Sequence, residues 1–360
     1  MIIKQIETFT ITVPLRKPFK TALRTVVLAE SVIVKISCNN GVIGWGEAPP
    51  THVITGESLE SINGAIHKVL KPFLMNKNIL LFEPLFQGMH QLLIGNSSAK
   101  AAIDMALYDC LAQHSQLPLY QYLGGYRERI ETDFTVSVNS PREMGDDAVR
   151  LVSEGFNILK IKVGKDEIHT DLARIKEIRQ RVGRSVIIRL DANQGWSTKE
   201  AISIIRKIED LDLGIELIEQ PVHKDDRRGL KTVTDSVDTL IMADESVFSP
   251  NDAFEIIRTR SADLINIKLM KSGGIYKASL ISKMAELFGM ECMVGSMIET
   301  KLGITAAAHF AASQKNITRY DFDASLLLAK DPVKGGIQFN GKTINFLSEY
   351  GLGITQINHS

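Results

Sequence analysis

The chain has 360 residues, and its 42 Lys and Arg residues balance 42 Asp and Glu residues. The length allows one large domain and a smaller one, and the absence of net charge argues against nucleic-acid and anionic-membrane partners. The three cysteines are odd in number and widely spaced. We therefore expect no disulfide framework, no zinc motif and a reducing, cytoplasmic location. No stretch predicts a signal peptide or a membrane span.

Residues 1–125 predict an α+β capping domain. Alternating apolar residues indicate strands over 3–13 and 31–36, and a turn at 39–41 leads into a third strand. Polar loops are expected at 14–25 and 48–56, and loops of this length often carry function. Helical spacing then predicts four helices, at 59–70, 81–93, 97–114 and 118–123.

Residues 126–325 predict a (β/α)₈ barrel of the α/β class, because strands and helices alternate regularly. A doubly wound open sheet is the architectural alternative. We expect residues 326–360 to return to the N-terminal domain. The predicted strands cover 134–138, 158–163, 186–191, 215–219, 240–244, 264–268, 291–294 and 317–321.

The second barrel strand contains Lys160 and Lys162, which share a face because side chains alternate along a strand. Burying two like charges is costly unless acids or a metal compensate them. If the strand lay at a sheet edge instead, both lysines would be in solvent. The sixth strand ends in Lys268. In an eight-stranded barrel, Lys162 and Lys268 would face each other across the centre.

Three acids, Asp191, Glu219 and Asp244, end consecutive predicted strands, one βα repeat apart. Any one of them alone fits a helix N-cap, but three in register would converge at the active face of a barrel. Their repulsion requires a cation. Carboxylate oxygens favour Mg²⁺, with Mn²⁺ as a substitute.

Two lysines on opposite sides of such a metal suit proton transfer. One could remove a proton from one face of a carbon while the other returns it from the opposite face, which inverts a stereocentre. Neighbouring positive charge lowers a lysine pKa and a neighbouring carboxylate raises it, so the sequence leaves the net direction open.

Asp321 and Asp323 follow the last strand and would face the same way if extended. They could clamp a cation such as a substrate ammonium, or serve as caps and solvated surface residues. Arg24, in the first polar loop, could pair with a carboxylate, although surface exposure is the simpler expectation for it.

The Lys-x-Lys strand, the Asp/Glu/Asp set and Lys268 resemble the muconate-lactonizing subgroup of the enolase superfamily. The resemblance covers essentially the whole chain. Within the subgroup the chain is similar to dipeptide epimerases, through the Asp-x-Asp of 321–323 and the segments 21–25 and 295–300.

This resemblance implies a role for each matching residue. Lys162 and Lys268 would be the acid/base pair, and Asp191, Glu219 and Asp244 would hold one Mg²⁺ per subunit. The implied substrate contacts are Arg24 for a glutamate side chain, Lys160 for the substrate carboxylate, Asp321 and Asp323 for the ammonium, and Thr135, Ser296 and Ile298 for the dipeptide backbone.

The implied function is epimerisation of L-Ala-D/L-Glu dipeptides through an enediolate, in murein peptide metabolism, by a homo-oligomeric enzyme. The alternatives are an N-acylamino acid racemase, an o-succinylbenzoate synthase or a muconate cycloisomerase, whose substrates lack an ammonium group. A catalytically silent metal-binding scaffold is the non-enzyme alternative.

Overall fold

Three antiparallel strands begin the chain in the computed structural model, which describes residues 1–358. They are β1 (Ile3–Lys20), β2 (Thr25–Cys38) and β3 (Ile43–Ala48). The predicted loop at 14–25 is wrong over most of its length. After an irregularity that follows Pro14, Phe19 pairs with Val26 and Lys20 with Thr25. Only the tip of the hairpin, residues 21–24, lies outside the strands, which places Arg24 at the end of a long arm.

Helices follow and cover the sheet, as the periodicity predicted. They are α1 (Leu59–Ala65), a π-helical turn (Ile66–Leu70), α2 (Lys71–Leu74), α3 (Phe82–Leu92), α4 (Ser97–His114) and α5 (Leu119–Tyr122). Helix α4 is buried along almost its whole length. A Cβ at Gly46 would lie 1.8 Å from the Ala102 carbonyl oxygen, so glycine in β3 permits the close approach of α4.

An eight-stranded parallel sheet forms the second part of the molecule, in unbroken sequence order. After the short strand β4 (Arg129–Glu131), its strands are β5 (Phe134–Val136), β6 (Ile158–Lys162), β7 (Ile187–Asp191), β8 (Ile215–Glu219), β9 (Leu240–Ala243), β10 (Leu264–Ile267), β11 (Glu291–Val294) and β12 (Ile317–Tyr320). The α/β class and the barrel architecture are confirmed, as a modified barrel. Its two end strands are joined near their tips by the Asp133 amide, which donates to the Tyr320 carbonyl at 3.1 Å.

Helices on the outside connect these strands. They are α6 (Pro141–Ser153), α7 (Ile168–Val182), α8 (Thr198–Asp210), α9 (Arg227–Thr234), α10 (Pro250–Thr259), α11 (Leu269–Ser272), α12 (Ile275–Leu287) and α13 (Lys301–Ser313). Ser140 and Ser197 form capping boxes at the starts of α6 and α8, which explains why these helices begin where they do. Among the described residues, none of the helices is both long and apolar enough to cross a bilayer.

The C-terminal segment packs back onto earlier parts of the chain. Its strands are β13 (Val333–Gly335), β14 (Gln338–Asn340), β15 (Thr343–Asn345) and β16 (Ile354–Ile357). Strand β15 pairs with β4, and the Leu352 amide donates to Asp109 Oδ1 of α4 at 2.8 Å. The segment therefore contacts the N-terminal domain.

Glu47 joins the N-terminal sheet to the barrel. Its carboxylate is fully buried and accepts hydrogen bonds from the Ser31 hydroxyl (2.7 Å), the Thr300 amide (2.9 Å) and hydroxyl (2.6 Å), and the Gly303 amide (2.8 Å). A residue of β3 thus satisfies the free amides at the start of α13, which immediately follows the loop carrying Ser296 and Ile298.

Candidate active site

A cavity opens at the carboxyl ends of the barrel strands, beneath the tip of the β1–β2 hairpin. It collects residues from both ends of the chain. Of the residues predicted from sequence, those lining it are Arg24, Thr135, Lys162, Lys268, Ser296, Ile298, Asp321 and Asp323. Apolar side chains of the capping domain, including Phe19 and Ile54, line its outer part. The cavity can therefore enclose a small polar molecule away from bulk water.

Two lysines face this cavity from opposite sides of the barrel. Lys162 ends β6, the second barrel strand, and its Nζ lies 2.5 Å from Asp191 Oδ2. Lys268 directly follows β10, the sixth strand, and its Nζ lies 2.7 Å from Asp244 Oδ2. Burial disfavours the charge on Lys268, but the carboxylates of Asp244 and Glu219 outweigh it and raise its pKa. The sequence left open the direction of the lysine pKa shift, and for Lys268 that shift is upward.

Asp191, Glu219 and Asp244 lie below the lysines and are at most 1% exposed. Adjacent strands place Lys162 beside Asp191 and Asp191 beside Glu219 in register. Burial and the negative charges of Asp191 and Asp244 raise the pKa of Glu219 to about 7. Burial acts in the same direction on Asp244, but Lys268 and Lys271 overcome it and hold its pKa well below the usual range.

A fourth acid, Glu245, adds to this negative charge. Its Oε1 accepts a hydrogen bond from the Asn193 side chain at 3.2 Å, whereas its Oε2 is buried without a hydrogen-bond partner among the described residues. Burial, Asp244 and Asp191 raise the pKa of Glu245 to about 8. Although Glu245 follows Asp244 directly in sequence, its side chain is part of the same buried acidic cluster.

The acidic cluster fits a hard divalent cation by the chemistry of its donors, which are all oxygen atoms. Across residues 1–358, no three His, Cys, Asp or Glu side chains are already grouped to hold an ion. Each predicted metal ligand contacts a nitrogen instead. For example, the Asn266 side chain donates to Glu219 Oε1 at 2.6 Å. The raised pKa values of Glu219 and Glu245 come partly from repulsion between neighbouring carboxylates, and a cation would offset that repulsion.

Lys160 is the most buried of these lysines, at 1% exposed. Its Nζ lies 2.7 Å from Glu219 Oε2 and 2.6 Å from Asp321 Oδ2. It does not line the cavity. The structure therefore places Lys160 as a bridge between the metal-ligand candidates and the acid pair of the last strand.

Asp321 and Asp323 share the wall of the cavity near β5. Burial opposes the charge on Asp321, but Lys160 overcomes it and lowers the pKa of that carboxyl to about 2. Burial and the charge of Asp321 raise the pKa of Asp323 to about 7. The Thr135 amide donates to Asp323 Oδ2 at 2.7 Å. Hydrogen bonds hold this pair in place at the cavity wall, and Asp321 gives it a permanent negative charge, so it is not a solvated turn.

Arg24 carries the remaining charge of the cavity. Burial lowers the pKa of its guanidinium, and the side chain forms no ion pair with any of residues 1–358. A guanidinium held over a cavity without an acidic partner is suited to bind an anionic group of a ligand.

Lys271 was missed at the site. Helix α11 turns directly from β10 and carries Lys271 under the acidic cluster. Its Nζ lies 2.5 Å from Asp244 Oδ1 and donates to the Asp244 and Asn266 carbonyls. The three-residue spacing from Lys268 was the available signal, since residues i and i+3 share a helix face.

Arg189, on β7, lies in the barrel interior and does not line this cavity. It contacts Asp133 Oδ2 at 2.9 Å and Glu216 Oε2 at 2.6 Å. These ion pairs satisfy its charge inside the barrel, so its role is structural.

Comparison with known proteins places this arrangement in a family. Residues 5–124 match the N-terminal domain of the mandelate racemase / muconate lactonizing enzymes, and residues 143–358 match the enolase C-terminal domain-like family. The chain therefore belongs to the enolase superfamily, in its mandelate racemase and muconate lactonizing enzyme group, which confirms the family expected from the sequence.

Full-length relatives narrow the class further. The L-Ala-D/L-Glu epimerase of Bacillus subtilis is 65% identical over 98% of this chain and 97% of its own. A substrate-liganded structure of that epimerase superposes with a TM-score of 0.99, at 64% identity, covering 99% of this chain and 100% of the other. A dipeptide epimerase from Enterococcus faecalis, solved with Mg and L-Leu-L-Tyr, gives a TM-score of 0.96 at 44% identity, covering 99% and 100%. The chain is an isomerase of this superfamily.

Proposed function

We propose that the protein is a Mg²⁺-dependent epimerase that interconverts L-Ala-L-Glu and L-Ala-D-Glu. The observation that carries the proposal is the placement of Lys162 and Lys268 on opposite sides of one cavity above a buried acidic cluster. The 65% identity to an epimerase of that specificity supports the choice of reaction.

The two lysines act as a pair. One removes the α-proton of the C-terminal residue, an enediolate forms on the substrate, and the other lysine returns a proton to the opposite face. Asp191 and Asp244 contact one lysine each and balance the positive charge of its ammonium group. Because both lysines approach the same carbon, either diastereomer can serve as substrate.

Asp191, Glu219 and Asp244 would hold the Mg²⁺. When bound, the ion supplies positive charge that stabilises the additional negative charge on the substrate carboxylate. Mn²⁺ would be the expected substitute, because it accepts the same oxygen ligands. The Mg present with the E. faecalis relative supports the choice of metal. We propose one ion per subunit, held by these three acids.

The remaining charges orient the dipeptide. Asp321 and Asp323 would receive its ammonium, and Arg24 would bind the glutamate side chain, since this guanidinium has no acidic partner of its own among the described residues. We expect Thr135, Ser296 and Ile298 to contact the dipeptide backbone. Lys160 would assist the substrate carboxylate from its position between Glu219 and Asp321.

The acid pair disfavours the alternative reactions. Substrates of N-acylamino acid racemases, o-succinylbenzoate synthases and muconate cycloisomerases lack an ammonium, so they would leave Asp321 and Asp323 without a cationic partner from the ligand. A catalytically silent scaffold would have no use for two lysines directed into one cavity.

The proposal is tested by ¹H NMR of L-Ala-L-Glu and L-Ala-D-Glu with enzyme and Mg²⁺ in D₂O. We expect loss of the glutamate α-proton signal together with formation of the other diastereomer. L-Ala-L-Leu is the matched control, and it should react much more slowly because it offers nothing to Arg24. An enzyme that exchanges neither Ala-Glu diastereomer would overturn the assignment.

We also propose a cytoplasmic location, a homo-oligomeric state and a role in murein peptide metabolism.

A further inference from the structure

A second cavity lies between the N-terminal domain and the barrel, away from the proposed substrate site. Helices α3 and α4 form one wall, and the segments around α10 and α12 form the other. Its basic side chains are His90, Lys100, Lys271 and Lys277. We call it the interdomain cavity.

Lys100 is the unexpected group in this cavity. It is only 6% exposed, yet among residues 1–358 its ammonium has no ion pair and no hydrogen-bond partner. The acid that influences it electrostatically is Glu57. That carboxylate is already used, because it accepts the amides of Ser98 at 2.9 Å and Ala99 at 3.1 Å. The stem of Lys100 is buried and its ammonium opens into the cavity, where a ligand can supply the close partner that the protein does not.

His90, which is partly buried, is a second residue of the cavity with an unpartnered polar atom. Its Nε2 is buried and has no hydrogen bond with any described residue, and its ring stacks on Tyr276 with centroids 6.1 Å apart. Burial, and then Lys100 and Lys277, lower the pKa of His90 to about 4. The imidazole is therefore neutral at pH 7 and can still donate one hydrogen bond.

The cavity floor brings these two groups together. Gly273 has a φ of +80°, and a Cβ there would lie 2.9 Å from His90 Cε1 and 3.6 Å from Lys100 Cβ. Lys271, on the same segment, is neutralised by Asp244 at 2.5 Å. Lys277 forms no ion pair with the described residues. Two ammonium groups thus remain for a ligand, and the Ser97 hydroxyl also lines the cavity. The hydroxyls of Thr55 and Ser249 already donate to the Thr51 carbonyl and to Asp252 Oδ2.

We infer that the interdomain cavity is a binding site for a small phosphate-bearing anion, held by Lys100 and Lys277 with the His90 imidazole and the Ser97 hydroxyl as hydrogen-bond donors. Several donors around two point charges suit a tetrahedral oxyanion better than a planar carboxylate, which has fewer acceptor positions. Inorganic phosphate and a phosphate monoester share this chemistry.

The experiment is isothermal titration of the enzyme with inorganic phosphate, with 2-glycerophosphate and with acetate, at constant ionic strength and pH 7. Mg²⁺ and saturating L-Ala-L-Glu are present, so that the substrate site is filled. Phosphate or 2-glycerophosphate should bind and acetate should bind at least about tenfold more weakly. Whichever phosphate compound binds more tightly identifies the free ion or the monoester as the ligand type.

Two variants locate the site. K100M should weaken binding about tenfold or more, since a charged hydrogen-bond partner is lost, and K277M should weaken it severalfold without risk to the fold because that side chain is partly exposed. K199M, an exposed lysine on α8 outside the cavity, is the control and should bind as the unaltered enzyme does. Absence of phosphate binding, displacement of phosphate by the dipeptide, or unchanged binding by K277M would each overturn the inference.

Discussion

The Thr135 amide donates a 2.7 Å hydrogen bond to Asp323 Oδ2, which joins the first barrel strand to the segment that follows the last. The carboxylate proposed to receive the substrate ammonium is therefore also part of the closure of the barrel. Its orientation is set by the backbone and does not depend on the ligand. Such a preorganised charge loses little freedom on binding.

Removing the charge of Asp323 should weaken binding of dipeptides with a free amino group. We expect D323N to lower kcat/KM for L-Ala-L-Glu by about 10- to 100-fold, in the range of a lost charged hydrogen bond. N-acetyl-L-Ala-L-Glu, which has no ammonium, serves as the matched substrate. Steady-state kinetics should show the two substrates differing much less with D323N than with the unaltered enzyme, and an equal loss for both would contradict the role given to this residue.

Each lysine of the proposed pair should be needed for epimerisation. K162A and K268A remove the groups that face opposite sides of the substrate carbon, so each should lower interconversion by about 10³-fold or more. K165A, at an exposed position three residues after Lys162, should keep its activity. The measurement is the NMR assay in D₂O, and full activity in either of the first two variants would exclude the two-base scheme.

Chelation of divalent ions should stop the reaction. After treatment with EDTA and desalting we expect no measurable epimerisation, because the extra negative charge on the substrate carboxylate would be unopposed. Added Mg²⁺ should restore activity and Mn²⁺ should restore part of it. Activity that survives chelation unchanged would refute a metal role for Asp191, Glu219 and Asp244.

Glu299 should make the fold less stable as the pH rises. Burial and the neighbouring Glu47 raise its pKa from 4.5 to about 8 in the folded protein. The folded state therefore binds this proton more tightly than the unfolded state does, and its stabilising effect is lost as the pH rises from about 4.5 through 8. The charged groups that act on it are Glu47 and Lys268.

Urea unfolding of E299Q and the unaltered protein at pH 6 and pH 9 measures this effect. The stability difference should move in favour of E299Q by at least about 1 kcal/mol between the two pH values, since one pKa unit corresponds to roughly 1.4 kcal/mol. E291Q, at an exposed acid on β11, is the control. A pH-independent difference between E299Q and the unaltered protein would disprove the assignment.

Glu47 should be more important for stability than for chemistry. E47Q replaces an oxygen that accepts hydrogen bonds with an amide that donates, so at least one of its buried donors loses its acceptor. The expected cost is about 1–3 kcal/mol in the free energy of unfolding. E30Q, at an exposed acid of β2, should change stability by less than about 0.5 kcal/mol. Equal urea midpoints for E47Q and E30Q would show that Glu47 does not hold the domains together.

The sequence predicted the barrel and its principal charged residues because both follow from strict local rules. Parallel strands separated by helices place every strand end on one face, so Asp191 and Glu219 had to be neighbours once their strands were recognised. Lys162 and Lys268 faced each other for the same reason. The alternation of side chains along a strand determined which lysines point inward.

The sequence failed where tertiary contacts decide the structure. Polar residues between Pro14 and Lys20 predicted a loop, but pairing with β2 extends the strand to Lys20. Lys271 was overlooked because its position depends on a single turn of helix following β10. Lys160 alternates with Lys162 as expected, yet its bridge from Glu219 to Asp321 joins strands that are far apart in the chain.

The hydrogen bonds of Glu47 limit how this enzyme could be recombined. The sheet residue that caps α13 makes the N-terminal domain a structural component of the barrel, so a cap transplanted from a relative would need a matching acid and a matching Thr300. The hairpin tip at residues 21–24 forms no hydrogen bond with α13 among the described residues. We therefore expect that new substrate preferences can be introduced at residues 21–24 by exchanging a few side chains. Exchange of the whole domain would have to preserve the hydrogen bonds between Glu47 and the start of α13.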